Sequence, residues 1–216
     1  MGPILVTLLA MACFRPIEPT EPPFRTEPCP ALPSKVSEPT QAQAQALETL
    51  PIIPADTQGG IADFIVRVGH LRWAYEYPAT DKPTRSECPW LFFEWEFRRT
   101  TAEEARRAWF FWWFSETFPA TLEIRLYLAK VRTAGVFVEP DVIEACEVWD
   151  PDPNRTGEVG EGKRCRHFAH VRPEWGPRWL VVFAIRQGVT WWLIFPIPFK
   201  DSDPVARVEV PSLPPR

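Results

Sequence analysis

Residues 105–118 read Ala-Arg-Arg-Ala-Trp-Phe-Phe-Trp-Trp-Phe-Ser-Glu-Thr-Phe, and Trp109, Phe110, Phe111, Trp112, Trp113 and Phe114 stand as six aromatics in succession. Just upstream, Thr101-Ala-Glu-Glu104 has the form of a capping box: the Thr101 hydroxyl is placed to accept from the Glu104 N–H while the carboxylate reaches back. The combination predicts a helix, stopped by Pro119. At about 100° per residue, six consecutive aromatics leave no polar face, so such a helix has to be covered on several sides. It is too short to cross a bilayer, which takes roughly 20 apolar residues. Three fates remain: burial under a sheet, a protein partner, or a membrane interface. Trp109, Trp112 and Trp113 are the packing or interaction residues of this reading.

Outward from this stretch, the pattern is of strands. Leu71, Trp73, Tyr75 and Tyr77 alternate with Arg72, Ala74 and Glu76, and Leu91, Phe93, Trp95 and Phe97 alternate with Glu94, Glu96 and Arg98. Period-two alternation marks half-buried strands, and these two runs are expected to be sheet neighbours. Leu122, Ile124, Leu126 and Leu128 form another. Residues 142–149 and 163–171 flank a loop, and antiparallel pairing with residue numbers summing to 311 sets Cys146 opposite Cys165. The same register sets Glu147 beside Arg164, Glu144 beside His167, Asp141 beside His170 and Ile143 beside Phe168, all favourable cross-strand pairs. A last hairpin, 179–186 and 189–195, is expected to turn on Gln187-Gly188, with Val205–Val210 as an edge strand. The expected fold is α+β: a curved, mostly antiparallel sheet of about seven or eight strands packed on one aromatic-rich helix.

Residues 13–58 are dense in proline and poor in large apolar residues, which predicts a segment unable to fold alone. Extended at about 3.1 Å per residue, it would act as a stalk of roughly 100 Å. The folded domain is then expected over 59–210, with a Pro-rich tail at 211–216. Residues 1–13, Met-Gly-Pro-Ile-Leu-Val-Thr-Leu-Leu-Ala-Met-Ala-Cys, form an apolar run ending in small residues before a cysteine. This resembles the signal peptide and lipobox of bacterial lipoproteins. The resemblance implies cleavage after residue 12, lipid attachment at Cys13 and a lipid-anchored location in the cell envelope, at the outer membrane. Setting Cys13 aside leaves Cys29, Cys88, Cys146 and Cys165, which permit two disulfides in an exported chain. The strand register selects Cys146–Cys165, and Cys29–Cys88 follows by elimination.

Few residues carry chemistry. Asp150, Asp152, Asn154, Thr156, Glu158 and Glu161 place oxygens at relative positions 1, 3, 5, 7, 9 and 12, a spacing that resembles a calcium-binding EF-hand loop. Arg155 takes the place of the turn glycine, two prolines stiffen the start, and strands flank the loop. The same residue types also make an ordinary hairpin loop. Cys165 and His167 share one strand face while His170 takes the other, which opposes a single metal site. No nucleophile elbow or phosphate-binding glycine loop occurs. With a formal net charge of −4 and scattered basic residues, nucleic acid is not the expected partner. The expectation is a non-enzymatic envelope lipoprotein, without a required cofactor, whose stalked domain docks on a protein partner or envelope assembly. The alternative is a carbohydrate- or lipid-binding domain using tryptophan side chains. Exposed coplanar indoles would favour sugar, an enclosed apolar cavity lipid, and a contiguous apolar patch a protein.

Overall fold

The computed structural model describes residues 25–33, 35–61, 64–77, 84–99, 108–110, 113–142, 147–149, 162–192 and 195–214. It is a sheet-rich fold of two facing sheets. The elements in chain order are β1 (Arg25–Glu27), β2 (Val36–Ser37), α1 (Gln41–Leu47), β3 (Gln58–Ile61), β4 (Phe64–Tyr77), β5 (Thr84–Arg99), β6 (Ala108–Phe110) and β7 (Trp113–Leu128). They continue with β8 (Val136–Val138), β9 (Asp141–Val142), β10 (Glu147–Trp149), β11 (Gly162–His170), a 3-10 turn (Pro173–Trp175), β12 (Pro177–Trp192) and β13 (Phe195–Glu209). One sheet runs β10-β11-β5-β4-β3, with β9 also on β11 and β1 added parallel to β5; the other runs β13-β12-β7-β8-β2, with β6 also on β7.

The core lies between the sheets, as alternation requires. Phe64, Val66 and Val68 of β4 and Leu91, Phe93 and Trp95 of β5 meet Leu122, Ile124 and Leu126 of β7 and Leu180 and Val182 of β12, all buried in one cluster. The β4–β5 pairing expected from the alternation is present, with Trp73 opposite Leu91. A bulge at Gly69–Arg72 interrupts it, and there His70 adopts φ 54 while its N–H donates to the Asp56 carboxylate at 3.0 Å. The opposite face of β12 carries Trp179, Val181, Phe183 and Ile185, which pack with Phe137 and with Leu47 of α1. α1 therefore forms a third layer.

That helix is not the aromatic one. The described part of the 105–118 stretch is strand: Trp109 pairs with Phe114 and Phe110 with Trp113, and β7 then runs on beside β12. The capping residues Thr101 and Glu104 lie outside the described residues, as do Phe111 and Trp112. A continuous aromatic run reads equally as strand, where aromatics are favoured, and the β6–β7 pairing, continued by β12 along β7 from Ser115 on, decides for strand. Pro119, read as a helix stop, sits at a register shift of β7 between Ile185 and Arg186 of β12, a place where a strand tolerates proline.

Two further expectations are corrected. Gln187-Gly188 is not a turn; β12 passes through it, paired with Lys200 and Phe199 on one side and with Phe118 and Thr117 on the other. Bonding to neighbours on both sides outweighs the local turn preference of glycine. The expected edge strand at 205–210 is the end of β13, whose Pro196 and Pro198 suit an edge because neither has an N–H to donate.

The chain from Arg25 onward does not stand off as a stalk. β1 pairs with β5, β2 with β8, and Ile52 bridges Arg207. Thr40 and Gln43 form a full capping box on α1, and the buried Arg207 donates from both terminal nitrogens to the carbonyls of Leu47 and Glu48 at 2.8 and 2.9 Å. A bound cation at a helix C-terminus satisfies carbonyls that the helix leaves open. Composition argued for disorder; a few anchors, Leu47, Ile53 and Cys29, are enough to lay this segment on the sandwich.

Candidate functional site

Of the two disulfides expected, Cys29–Cys88 is present, closing 59 residues of sequence and fastening the N-terminal segment to β5. Beside it the Ser86 hydroxyl lies 2.6 Å from His170 Nε2, accepts from the Cys88 N–H at 3.3 Å and lies 3.2 Å from the Glu27 carbonyl. His170 stacks on Trp90 at 4.0 Å. This part-buried Ser–His contact ties β1, β5 and β11 together. Cys165 is disulfide-bonded, and Cys146 lies outside the described residues.

The register around Cys165 is split. Glu147 pairs with Arg164 and Val148 with Lys163, numbers that sum to 311 as expected from the sequence. Further along, His167 pairs with Val142 and Phe168 with Asp141, so the expected pairings of Ile143, Glu144 and Asp141 with Phe168, His167 and His170 do not form. Arg164 and Arg166 also reach β5, bonding Glu96 at 3.4 Å and Glu94 at 3.0 Å. The loop residues Asp150, Asp152, Asn154, Thr156, Glu158 and Glu161 lie outside the described residues, and among the described residues no cluster of three His, Cys, Asp or Glu could hold a metal.

Two places are able to bind something. The first is the end of the second sheet beyond the core, where β6, β7, β12 and β13 run on together as an arm. Its described strands bring together residues 108–110 and 113–115 with 187–192 and 195–199, an uncharged set that holds Trp109, Trp113, Trp191 and Trp192. From Ile185 to Trp192 the arm is roughly 25 Å long at about 3.4 Å per residue. Phe195, Pro196, Ile197 and Pro198 are all exposed, with Phe195 at 59% and Ile197 at 50%. Because consecutive strand residues face opposite sides, four in a row leave both faces of this strand bare.

The second is a cleft of about 350 Å³ at the root of the arm, where the sheets part. Trp95, Phe97 and Cys165 line it from one sheet, Leu122 and Ile124 from the other, and Glu123, Glu139 and Lys163 also border it. His167 borders it too, 7% exposed and stacked on Phe93 at 5.2 Å, with neither ring nitrogen hydrogen-bonded among the described residues. Burial without a charged or polar partner lowers its pKa to about 4, so the ring is neutral at pH 7. The sequence pointed to His167 as a histidine satisfied by Glu144; in the fold His167 stands opposite Val142, and Glu144 lies outside the described residues.

Four tryptophans of the sandwich, Trp90, Trp95, Trp175 and Trp179, are buried at 3–8% exposure, and Trp73 is partly buried against the core, so these indoles do not make an exposed sugar platform. No helix among the described residues is long and apolar enough to cross a membrane, which says nothing of crossing by strands. No protein-family model, curated protein or solved structure matches this chain.

Proposed function

We propose that this chain is a non-enzymatic cell-envelope lipoprotein, anchored through Cys13, whose sandwich presents the aromatic arm to a protein partner of the envelope. The observation that carries the reading is the exposure of four consecutive apolar residues, Phe195–Pro198, at the end of an uncharged run. Contiguous apolar surface of this kind is costly to leave in water and marks an interaction site. Pro196 and Pro198 supply no N–H on the edge strand, which disfavours open-ended pairing of arm to arm and favours a partner that grips side chains. Residues 13–24 supply the link between anchor and domain, shorter than the stalk read from composition.

The anchor and the docking are tested separately. Cys13→Ser should move the protein from the membrane to the soluble fraction. A photo-crosslinking residue at Ile197 should yield discrete protein adducts in intact cells, while the same group at the exposed Asp201 near the arm's root should yield markedly fewer. Adducts of equal yield from both positions, or adducts with lipid alone, would remove the protein-docking reading and leave the anchor reading standing.

A further inference from the structure

A buried imidazole with two unpaired nitrogens is an unstable arrangement unless something occupies the space beside it. An unmet buried polar group is destabilising, and protein structures satisfy the great majority of them. Among the described residues His167 lines the inter-sheet cleft in this condition, against a floor of Trp95, Phe97, Leu122 and Ile124. We propose that the cleft is a binding site for an uncharged amphipathic molecule, an aliphatic body bearing a hydroxyl, with the hydroxyl hydrogen-bonded to His167.

The chemistry follows from the lining. A cleft of about 350 Å³ falls at the small end of the roughly 300–1,000 Å³ typical of small-molecule sites, which suits a medium-length chain rather than a polycyclic or glycosylated ligand. The inner wall is apolar and contributed by both sheets, so it takes hydrocarbon. A neutral imidazole has one N–H to donate and one lone pair to accept, and a hydroxyl can serve either nitrogen. A carboxylate fits less well: it only accepts, so it can bond the ring N–H but never the ring lone pair, and its charge would be desolvated against the apolar wall. Metal binding is not available to this histidine through its neighbour, since the Cys165 sulfur is already in a disulfide. The inference is independent of the arm, which begins where Leu122 leaves the cleft.

The chain has three histidines, so ring ¹⁵N NMR of the intact protein resolves His167 from His70 and His170. Decan-1-ol is the probe and decane its control. Saturable binding of decan-1-ol should shift the His167 ring nitrogens and leave those of His70 unmoved, with decane at least about tenfold weaker. His167→Phe, which keeps the stack on Phe93, should weaken decan-1-ol about tenfold while His70→Gln leaves it unchanged. Equal affinity for decane and decan-1-ol, or binding that leaves the His167 resonances in place, would overturn the proposal. No saturable binding at all would overturn it too. The shift is read on the unmodified protein, so a poorly folding variant does not blunt the test.

Discussion

His167 makes the stability of this protein depend on pH in a way that can be worked out. Its pKa in the fold is about 4 against an ordinary value of 6.5. Above pH 6.5 the ring is neutral in both folded and unfolded chains, and the full stability is present. As pH falls below 6.5 the unfolded chain takes up a proton that the folded chain accepts only near pH 4, so stability is lost across this window. With these two values, linkage gives a loss of about 2 kcal/mol between pH 7.5 and 5, and about 3 kcal/mol by pH 4. Carboxylates also titrate in the acid range, so the quantity to measure is a difference. Urea unfolding of the native chain and of His167→Phe, followed at pH 7.5, 6 and 5 with the disulfides intact, should show the variant's stability falling less by about 2 kcal/mol at pH 5. Parallel pH profiles would refute the reasoning, because they would mean that His167 is protonated alike in both states and hence not desolvated.

Other consequences are more local. Reducing or deleting Cys29–Cys88 should cost about 4 kcal/mol in the chain-entropy model for its 59-residue separation, read as a lower urea midpoint. Non-reducing peptide mapping should join Cys165 to Cys146, the position that continues the Glu147–Arg164 register; a peptide joining Cys165 to Cys13 would overturn that pairing and the lipid anchor together. Arg207→Met should cost about 2–3 kcal/mol by stranding the Leu47 and Glu48 carbonyls, and should appear as faster hydrogen exchange in α1. Gly135→Ala should destabilise by about 1–3 kcal/mol, since Gly135 has φ 71 and a methyl there would strike the Tyr127 hydroxyl; a neutral result in thermal unfolding would show that the Tyr127 ring yields freely.

Much of the strand layout was legible from alternation, because one face of each strand had to be apolar wherever the sheets came to meet. Phe93 and Trp95 inside, Glu94 and Glu96 outside, and the Glu147–Arg164 register all follow from period-two patterning and side-chain pairing, which are local properties. The capping box at Thr40 and Gln43 was equally local, and the proline content around it hid the helix it starts. Other features depend on neighbours distant in sequence. The aromatic run extends as a hairpin, Trp109 on Phe114 and Phe110 on Trp113, that continues into β7, where β12, some seventy residues later, holds it from Ser115 on. Gly188 is a strand residue because Phe199 and Thr117 flank it. The segment after Arg25 is ordered by Cys88 and Arg207, groups far along the chain that its own composition does not contain. The cleft at His167 belongs to this second kind. It arises where two sheets diverge and a register slips by two residues, and neither event is written in any single stretch. Short-range pattern sets which side of a strand is apolar; loop closure and sheet packing set what that side faces.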